Sequence, residues 1–352
     1  MAKELSKTLW RTLLPIALSA GVAVWLFKKD IDMETLRSIR LDGRVIAGLL
    51  LALFFAFGRD FGLSWRFHTI ADGALSWKRS FRTDLMCAFT SAITPSVVGG
   101  SALAIFYLNR EGIKLGRATT LTLTTLFLDE LFFVVFCPLI ILIIPSDDLF
   151  GNEAALSEGR AMLLGGVRLV FWLVYTGIVI WTAILYLAII GKPEMMERLL
   201  KRIGAFRIMR RFRAKIDGLA DNMLATSQWV KAQDRGWWIR VLSGTVVSWF
   251  SRYFVVNVLF WAFIPSSSQL LVFGRQFVVW VVLMVSPTPG GSGISEWLFA
   301  TYYGDLIGAT AMAAILALIW RFFSYYIYLV IGIALLPAYF GEHARRRAEN
   351  SK

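Results

Sequence analysis

Asp129, Glu130, Arg252, Glu296 and Arg321 are charged residues set within apolar sequence. A charge inside a bilayer costs about 2.5–3.5 kcal/mol on insertion scales, so each needs a reason to be there. Three of them have polar company on a similar face. Thr122 and Thr125 precede Asp129 by seven and four positions, Ser248 and Ser251 accompany Arg252, and Tyr325 and Tyr328 follow Arg321 by four and seven. Such spacing gives a helix one polar face, turned to the protein interior. Arginine forks match phosphate oxygens, and a carboxylate at Glu296, Asp129 or Glu130 could hold a coupling proton or sodium ion. The alternative is internal pairing, with Arg252 and Arg321 neutralising Glu296 and Asp129.

Two further stretches belong to the same constellation. Ser286-Pro287-Thr288-Pro289-Gly290-Gly291-Ser292-Gly293-Ile294-Ser295-Glu296 is made of helix breakers and small polar residues between apolar runs. Thr94-Pro95-Ser96-Val97-Val98-Gly99-Gly100-Ser101 echoes it: proline, a short spacer, Gly-Gly, then Ser. Broken backbone at membrane depth is tolerated only where protein or a polar cavity covers it. Paired interruptions in two halves point to a transporter's substrate site. Helix starts after such breaks expose N–H groups and a positive dipole end to an anion. The expected substrate contacts are therefore Thr94, Pro95, Gly99, Gly100, Ser101, Pro287, Pro289, Gly290, Gly291, Ser292, Arg252, Arg321 and Tyr325. On this reading Glu296→Gln impairs translocation and spares folding. Gly165-Gly166 reads more simply, as a place where two helices approach closely.

The composition says what must position these residues. Of 352 residues, 57% are hydrophobic, and the mean hydropathy is +0.62. Several apolar runs reach the roughly 20 residues that cross a bilayer. The chain reads as an all-α polytopic protein with a single membrane domain. Its formal charge of +13 sits mostly in loops between apolar runs, which fits membrane topology better than nucleic-acid binding. Cys87 and Cys137 make no metal spacing or disulfide framework. His68 and His343 are far apart, which argues against a metal centre or a catalytic triad. No cofactor is expected.

Taken in order, Leu9 to Phe27 is the first crossing, read as an uncleaved helix rather than a signal peptide. Val45 to Gly58, extending towards Trp65, is the second. The loop from Arg66 to Asp84 is basic and reads as cytoplasmic. Leu85 to Leu108, interrupted at Thr94-Pro95 and Gly99-Gly100, has basic flanks on both sides and fits a re-entrant hairpin. Ala118 to Ile144 crosses outward to a loop poor in Lys and Arg, and Met162 to Ile190 crosses back. Residues 191–236 form a basic amphipathic segment with the stripe Met209, Phe212, Ile216, Leu219 and Met223; it lies on an anionic leaflet or packs on the protein's own cytoplasmic face. Trp237 to Phe263 crosses outward, Leu270 to Tyr303 is the second hairpin, and Leu306 to Phe340 holds the last crossing. Residues 1–160 and 161–352 thus form two halves of three crossings and one hairpin each, of opposite polarity: an inverted repeat. Eight full crossings is the rival topology. Both termini are expected on the cytoplasmic side of a bacterial or archaeal membrane.

Ile93-Thr94-Pro95 through Gly99-Gly100, then Tyr107-Leu108 and Arg110-Glu111-Gly112-Ile113, resembles the first signature of the lysylphosphatidylglycerol synthase transmembrane, or flippase-like, family. Pro287-Thr288-Pro289-Gly290-Gly291 with Gly293 and Glu296 resembles its second, and Asp129-Glu130 resembles an acidic position after the first. The family includes the flippase portion of the multiple peptide resistance factor, which moves aminoacylated phosphatidylglycerol between leaflets, and stand-alone members tied to polyprenyl-linked and envelope lipids. The multiple peptide resistance factor carries a soluble aminoacyl-transfer domain after its membrane part, and this chain ends at Lys352. The resemblance therefore implies lipid translocation rather than synthesis: a transporter, not an enzyme, for an anionic phospholipid, aminoacyl-phospholipid or polyprenyl-linked lipid. The partners so implied are membrane lipids and lipid-synthesis enzymes, with no nucleic acid. The alternatives are an intramembrane enzyme acting on a lipid phosphate and a non-transporting scaffold of an envelope-synthesis complex.

Overall fold

The structure is a computed structural model that describes residues 39–94, 97–151, 158–206 and 210–350, with the single positions 21, 35 and 37. The expected first crossing, Leu9 to Phe27, lies outside the described residues but for Gly21, as do Pro95 and Met209.

The described chain is helical throughout. In order come α1 (Gly43–Ile70), α2 (Trp77–Ile93), α3 (Val97–Arg110), α4 (Leu115–Ile143), the short α5 (Ser146–Phe150), α6 (Glu158–Tyr186), α7 (Pro193–Ala205), α8 (Arg213–Lys231), α9 (Arg235–Phe263), α10 (Gln269–Leu283), α11 (Ile294–Tyr302), α12 (Gly304–Ile307), α13 (Thr310–Arg321) and α14 (Ile327–Asn350). A π-helical turn, Phe322–Tyr326, joins α13 to α14. Five stretches among the described residues are long and apolar enough to cross a membrane: 43–70, 115–143, 164–191, 235–263 and 310–337. Large apolar side chains stay exposed along their outer faces, among them Leu50, Phe54 and Phe57 on α1, Leu142 on α4 and Leu173 and Ile180 on α6. Patches of that extent are a liability in water and are the ordinary surface in lipid. The chain is an integral membrane protein.

The closest helix pair is α1 with α9. A Cβ added at Gly62 would stand 2.6 Å from the Gly244 carbonyl oxygen, and one at Gly58 would stand 2.7 Å from Ser251 Oγ. Gly48 meets Ala262 in the same way. The numbers rise along α1 as they fall along α9, so the two helices run antiparallel. Small residues let the backbones touch, which is how helices associate where no hydrophobic drive exists between them. Gly166, by contrast, has open space where its Cβ would be, so the close approach expected there is found at Gly48, Gly58, Gly62 and Gly244 instead.

The two broken segments fold as helical hairpins. α2 ends at Ile93 and α3 begins at Val97, and their far ends are tied by Arg82, which donates to Glu111 at 2.8 Å. α10 and α11 meet at the loop before Ile294. There Arg275 of α10 forks onto Asp305 at 2.6 and 2.7 Å and donates to the Tyr302 carbonyl at 2.9 Å. One expectation changes: Gly99-Gly100 does not interrupt a helix but lies inside the first turn of α3. Another concerns Arg66, read as a loop cation. α1 continues to Ile70, and Arg66 is a buried residue inside it.

In the basic segment, α8 begins at Arg213 after a single 3-10 turn at 210–212. It packs on α4: Thr120 Oγ1 donates to the Met223 carbonyl, and Gly116 faces the Leu219 carbonyl and Asn222. Lys201 of α7 reaches Glu197 and Asp221 at 2.7 Å each. Its ammonium pKa is raised, chiefly by the hydrogen bond to Asp221.

Candidate functional site

The two hairpin tips meet. The Gly290 N–H donates to the Thr94 carbonyl at 3.4 Å, and the Tyr325 hydroxyl donates to the Ala92 carbonyl at 3.2 Å. Gly290 has a φ of +55°, and an added Cβ there would run into the Tyr325 ring and the Ala92 carbonyl. Only glycine satisfies both demands at once.

The second tip is saturated. Glu296 is fully buried. One of its oxygens accepts from the Gly293 N–H at 2.8 Å and from Ser295 Oγ at 2.9 Å. The other accepts from Arg321 Nε at 2.9 Å. Glu296 thereby caps α11 from its third position. Arg321 also donates to the Gly290 carbonyl at 3.0 Å, and its guanidinium carbon lies 4.1 Å from the Tyr325 ring centre. The π-helical turn immediately after Arg321 brings Tyr325 under it, a common use of such bulges. The loop amides are occupied as well: Gly291 donates to Thr288, Ser292 to Pro289, and Gly290 and Gly293 as above. The expectation of free amides awaiting an anion is therefore not met here. The loop's own carboxylate takes that place.

Beside the tips lies a cavity of about 220 Å³. Ser286, Thr288, Gly290 and Gly291 of the second tip line it, with Ser91 and Ala92 of α2. Arg59, Arg252 and Arg321 face it, and among the described residues no carboxylate does. A second cavity of about 190 Å³ shares Arg59, Ala88, Ser91, Arg252 and Trp280 with the first and adds Arg66, Asp84, Asp129 and Glu130. Each is below the ~300–1,000 Å³ of sites that hold a whole drug-sized ligand. Arg59, Asp129, Arg252 and Arg321 all sit near the middle of their long apolar helices.

The charges around them differ in how they are held. Arg59 pairs with Asp60 at 3.0 Å and lies 4.3 Å from the centre of the Tyr328 ring, whose hydroxyl donates to Asp60. Arg66 forks onto Asp129 at 2.6 and 3.0 Å, and Trp249 Nε1 donates to the same carboxylate at 2.9 Å. Asp129 is thus paired by Arg66 and not by Arg252. Arg252 makes no ion pair or hydrogen bond among the described residues; it lies between the Trp249 and Trp280 rings, 4.6 Å from each centre. Asp84 is 2% exposed, and its Oδ2 has no hydrogen-bond partner; Glu130 Oε2 and Arg252 Nε are in the same condition. An aromatic cluster holds the tryptophans: Phe132 stacks on Trp249 at 5.6 Å and on Phe277 at 5.7 Å.

Of the residues singled out by sequence, Arg252, Arg321, Tyr325, Gly290, Gly291, Asp129 and Glu130 line one or both cavities. Thr122 and Thr125 share the second cavity with Asp129, as their spacing predicts. Thr94 joins the tips through its carbonyl, Ser292 is buried within the second tip and Pro287 is exposed. Pro289 accepts a turn hydrogen bond through its carbonyl. Gly99, Gly100 and Ser101 belong to α3. Sequence reasoning missed Arg59, Asp60, Arg66 and Asp84. A charged pair at Arg59-Asp60, followed by Phe61-Gly62-Leu63 with no break, was the available signal.

The profile of the lysylphosphatidylglycerol synthase TM region matches residues 12–332. A UPF0104 membrane protein of Archaeoglobus fulgidus is 24% identical over 293 residues, covering 81% of this chain and 84% of the relative. No solved structure matches the chain.

Proposed function

The chain belongs to the lysylphosphatidylglycerol synthase transmembrane family, and from that premise we infer that it moves an anionic, phosphate-bearing lipid between leaflets. The observation that carries this reading is Arg252. It is an arginine in mid-span with no carboxylate on it, stacked between two indoles and facing a cavity beside two other arginines. A cation that no carboxylate contacts is costly at that depth, and a guest phosphate would supply the contact. The family takes its name from a synthase, and the match is to the membrane region. The reading here is transport, with the head group in the cavity and the acyl or prenyl tail in lipid.

An inverted repeat supports the same mechanism. Arg59 and Arg252 are 193 positions apart, Asp129 and Arg321 192, and Gly99 and Gly290 191. Gly58 touches Ser251, its counterpart at the same 193-residue interval, at the centre of the antiparallel α1–α9 crossing. The two hairpins would then be re-entrant, entering from opposite sides with their tips at the midplane. Rocking of one half against the other would expose the cavity to each leaflet in turn. Basic loops facing the cytoplasm of a bacterial or archaeal cell would gather anionic lipid.

Proteoliposomes carrying a fluorescent phosphatidylglycerol in both leaflets test this, with a membrane-impermeant quencher reporting the exposed fraction. The purified protein should bring the inner-leaflet label within reach of the quencher, and Arg252→Gln should slow that at least about tenfold, the loss of one charge-assisted contact. Equal rates in empty and protein-bearing vesicles would overturn the assignment.

A further inference from the structure

Three arginine–carboxylate pairs surround the cavities: Arg59 with Asp60, Arg66 with Asp129, and Arg321 with Glu296. What is left over is Arg252 against Asp84 and Glu130. The two carboxylates line the second cavity, and each has a buried oxygen that meets no donor. Asp84 is the more enclosed. The groups that act on it come from every helix around it: Arg59, Asp60 and Arg66 of α1, Arg252 of α9, Cys87 of its own helix, Asp129 and Glu130 of α4 across the cavity, and Tyr328 of α14 beyond Asp60. The leftover set carries one formal negative charge in excess, before any lipid arrives. A phosphodiester drawn to Arg252 adds another.

We propose that the head group and a proton occupy this site together, the proton on Asp84 or on Glu130. This rests on the transport reading above and deepens it. The proton comes from bulk water onto a carboxylate oxygen that now has no partner, and it returns to water when the head group leaves; no bond of the lipid changes. A proton fits better than a coordinated metal ion, because no three metal-ligating side chains converge among the described residues. By reciprocity, whatever favours the proton favours the lipid to the same degree. Lipid translocation would thereby be tied to a proton gradient.

The test is binding of dioctanoyl-phosphatidylglycerol to the purified full chain in detergent, followed between about pH 5 and 8, where linked protons show as a slope. Affinity should rise as pH falls, by at most about tenfold per pH unit for one linked proton. Wild-type protein mixed with the lipid in weakly buffered solution should take up about one proton per bound lipid, a readout that needs no variant. The double variant Asp84→Asn/Glu130→Gln should still bind, with a flat pH profile. Saturable binding with no slope and no uptake overturns the proton site and leaves the lipid site standing. A slope that persists in the double variant, or a sodium requirement at fixed pH in its place, also overturns it. No saturable binding at any pH overturns both readings.

Discussion

The tip loop at Gly290–Glu296 and the cavity beside it are built from the same residue types and treat charge in opposite ways. In the loop, both Glu296 oxygens have donors, Arg321 has a carboxylate and a carbonyl, and four successive amides have acceptors. In that cavity and the second one that adjoins it, Arg252, Asp84 and Glu130 keep buried polar atoms with no partner. Native interiors rarely leave such atoms unmatched, so those that are call for an explanation. The loop's polar groups hold its shape. The cavity's are the ones available to a guest.

The comparison can be broken most sharply at Glu296. A glutamine there places an amide NH₂ against the Gly293 N–H on one side or the Arg321 guanidinium on the other. Removing one partner of a buried pair costs about 3–5 kcal/mol. Glu296→Gln should lower the melting temperature in detergent more than any other variant discussed below, and Glu296→Gln melting like wild type would show that the loop does not depend on its carboxylate. This replaces the sequence-based expectation that the variant spares folding. Gly290→Ala comes next. It forces a side chain onto a φ of +55° and into Tyr325, at a cost of about 1–3 kcal/mol for the backbone strain alone. The same melt measures it, and crosslinking between cysteines at Thr94 and Gly291 should weaken as the tips part.

These two residues also show how far the sequence could be read. The five long apolar helices among the described residues, and the places where the two broken segments are interrupted, were legible, because apolar runs and breakers report them directly. The difference between the tips was not. Gly290-Gly291-Ser292-Gly293 and Gly99-Gly100-Ser101-Ala102 look alike, yet only the first has a third glycine free to take a φ of +85° and carry the turn onward. Without one, α3 has already begun at Val97 and runs through its glycine pair. Arg59, Arg66 and Asp84 were hidden for another reason. A hydropathy boundary falls where polar residues appear, but α1 continues past Gly58 with Arg59 and Arg66 turned inward, and Asp84 is buried within α2. Pairing was likewise beyond reach: Asp129 is sequence-compatible with Arg252 or Arg66, and only the packing of α1 on α9 selects Arg66.

Arg252 should behave unlike Glu296. Among the described residues no carboxylate is hydrogen-bonded to it, and its described contacts are two indole rings, so Arg252→Gln breaks no contact pair and removes a desolvated charge. Its stability should stay within about 1 kcal/mol of wild type, as for substitutions that break no buried network, while binding of dioctanoyl-phosphatidylglycerol weakens. Unfolding of Arg252→Gln on the scale of Glu296→Gln would erase the distinction between loop and cavity.

The smallest effect sharpens the same comparison through glycine. Gly166 lies within the span 164–191, its φ is in the ordinary helical range, and nothing stands within 4 Å of an added Cβ. Alanine there adds no clash and reduces the freedom of the unfolded chain, worth roughly 0.5–1 kcal/mol in a helix interior. Gly166→Ala should therefore melt at or slightly above wild type and translocate lipid unchanged. Gly62→Ala is the control in the opposite sense, because its Cβ would stand 2.6 Å from both the Gly244 carbonyl oxygen and the Ser248 nitrogen. If both glycines tolerate alanine equally, the contact of α1 with α9 is looser than the structure has it, and Arg59 and Arg252 are not held to one cavity by that pair. If only Gly166 does, the arginines owe their shared position to two backbones in contact, and the unpartnered charge between them is a fixed feature of the fold.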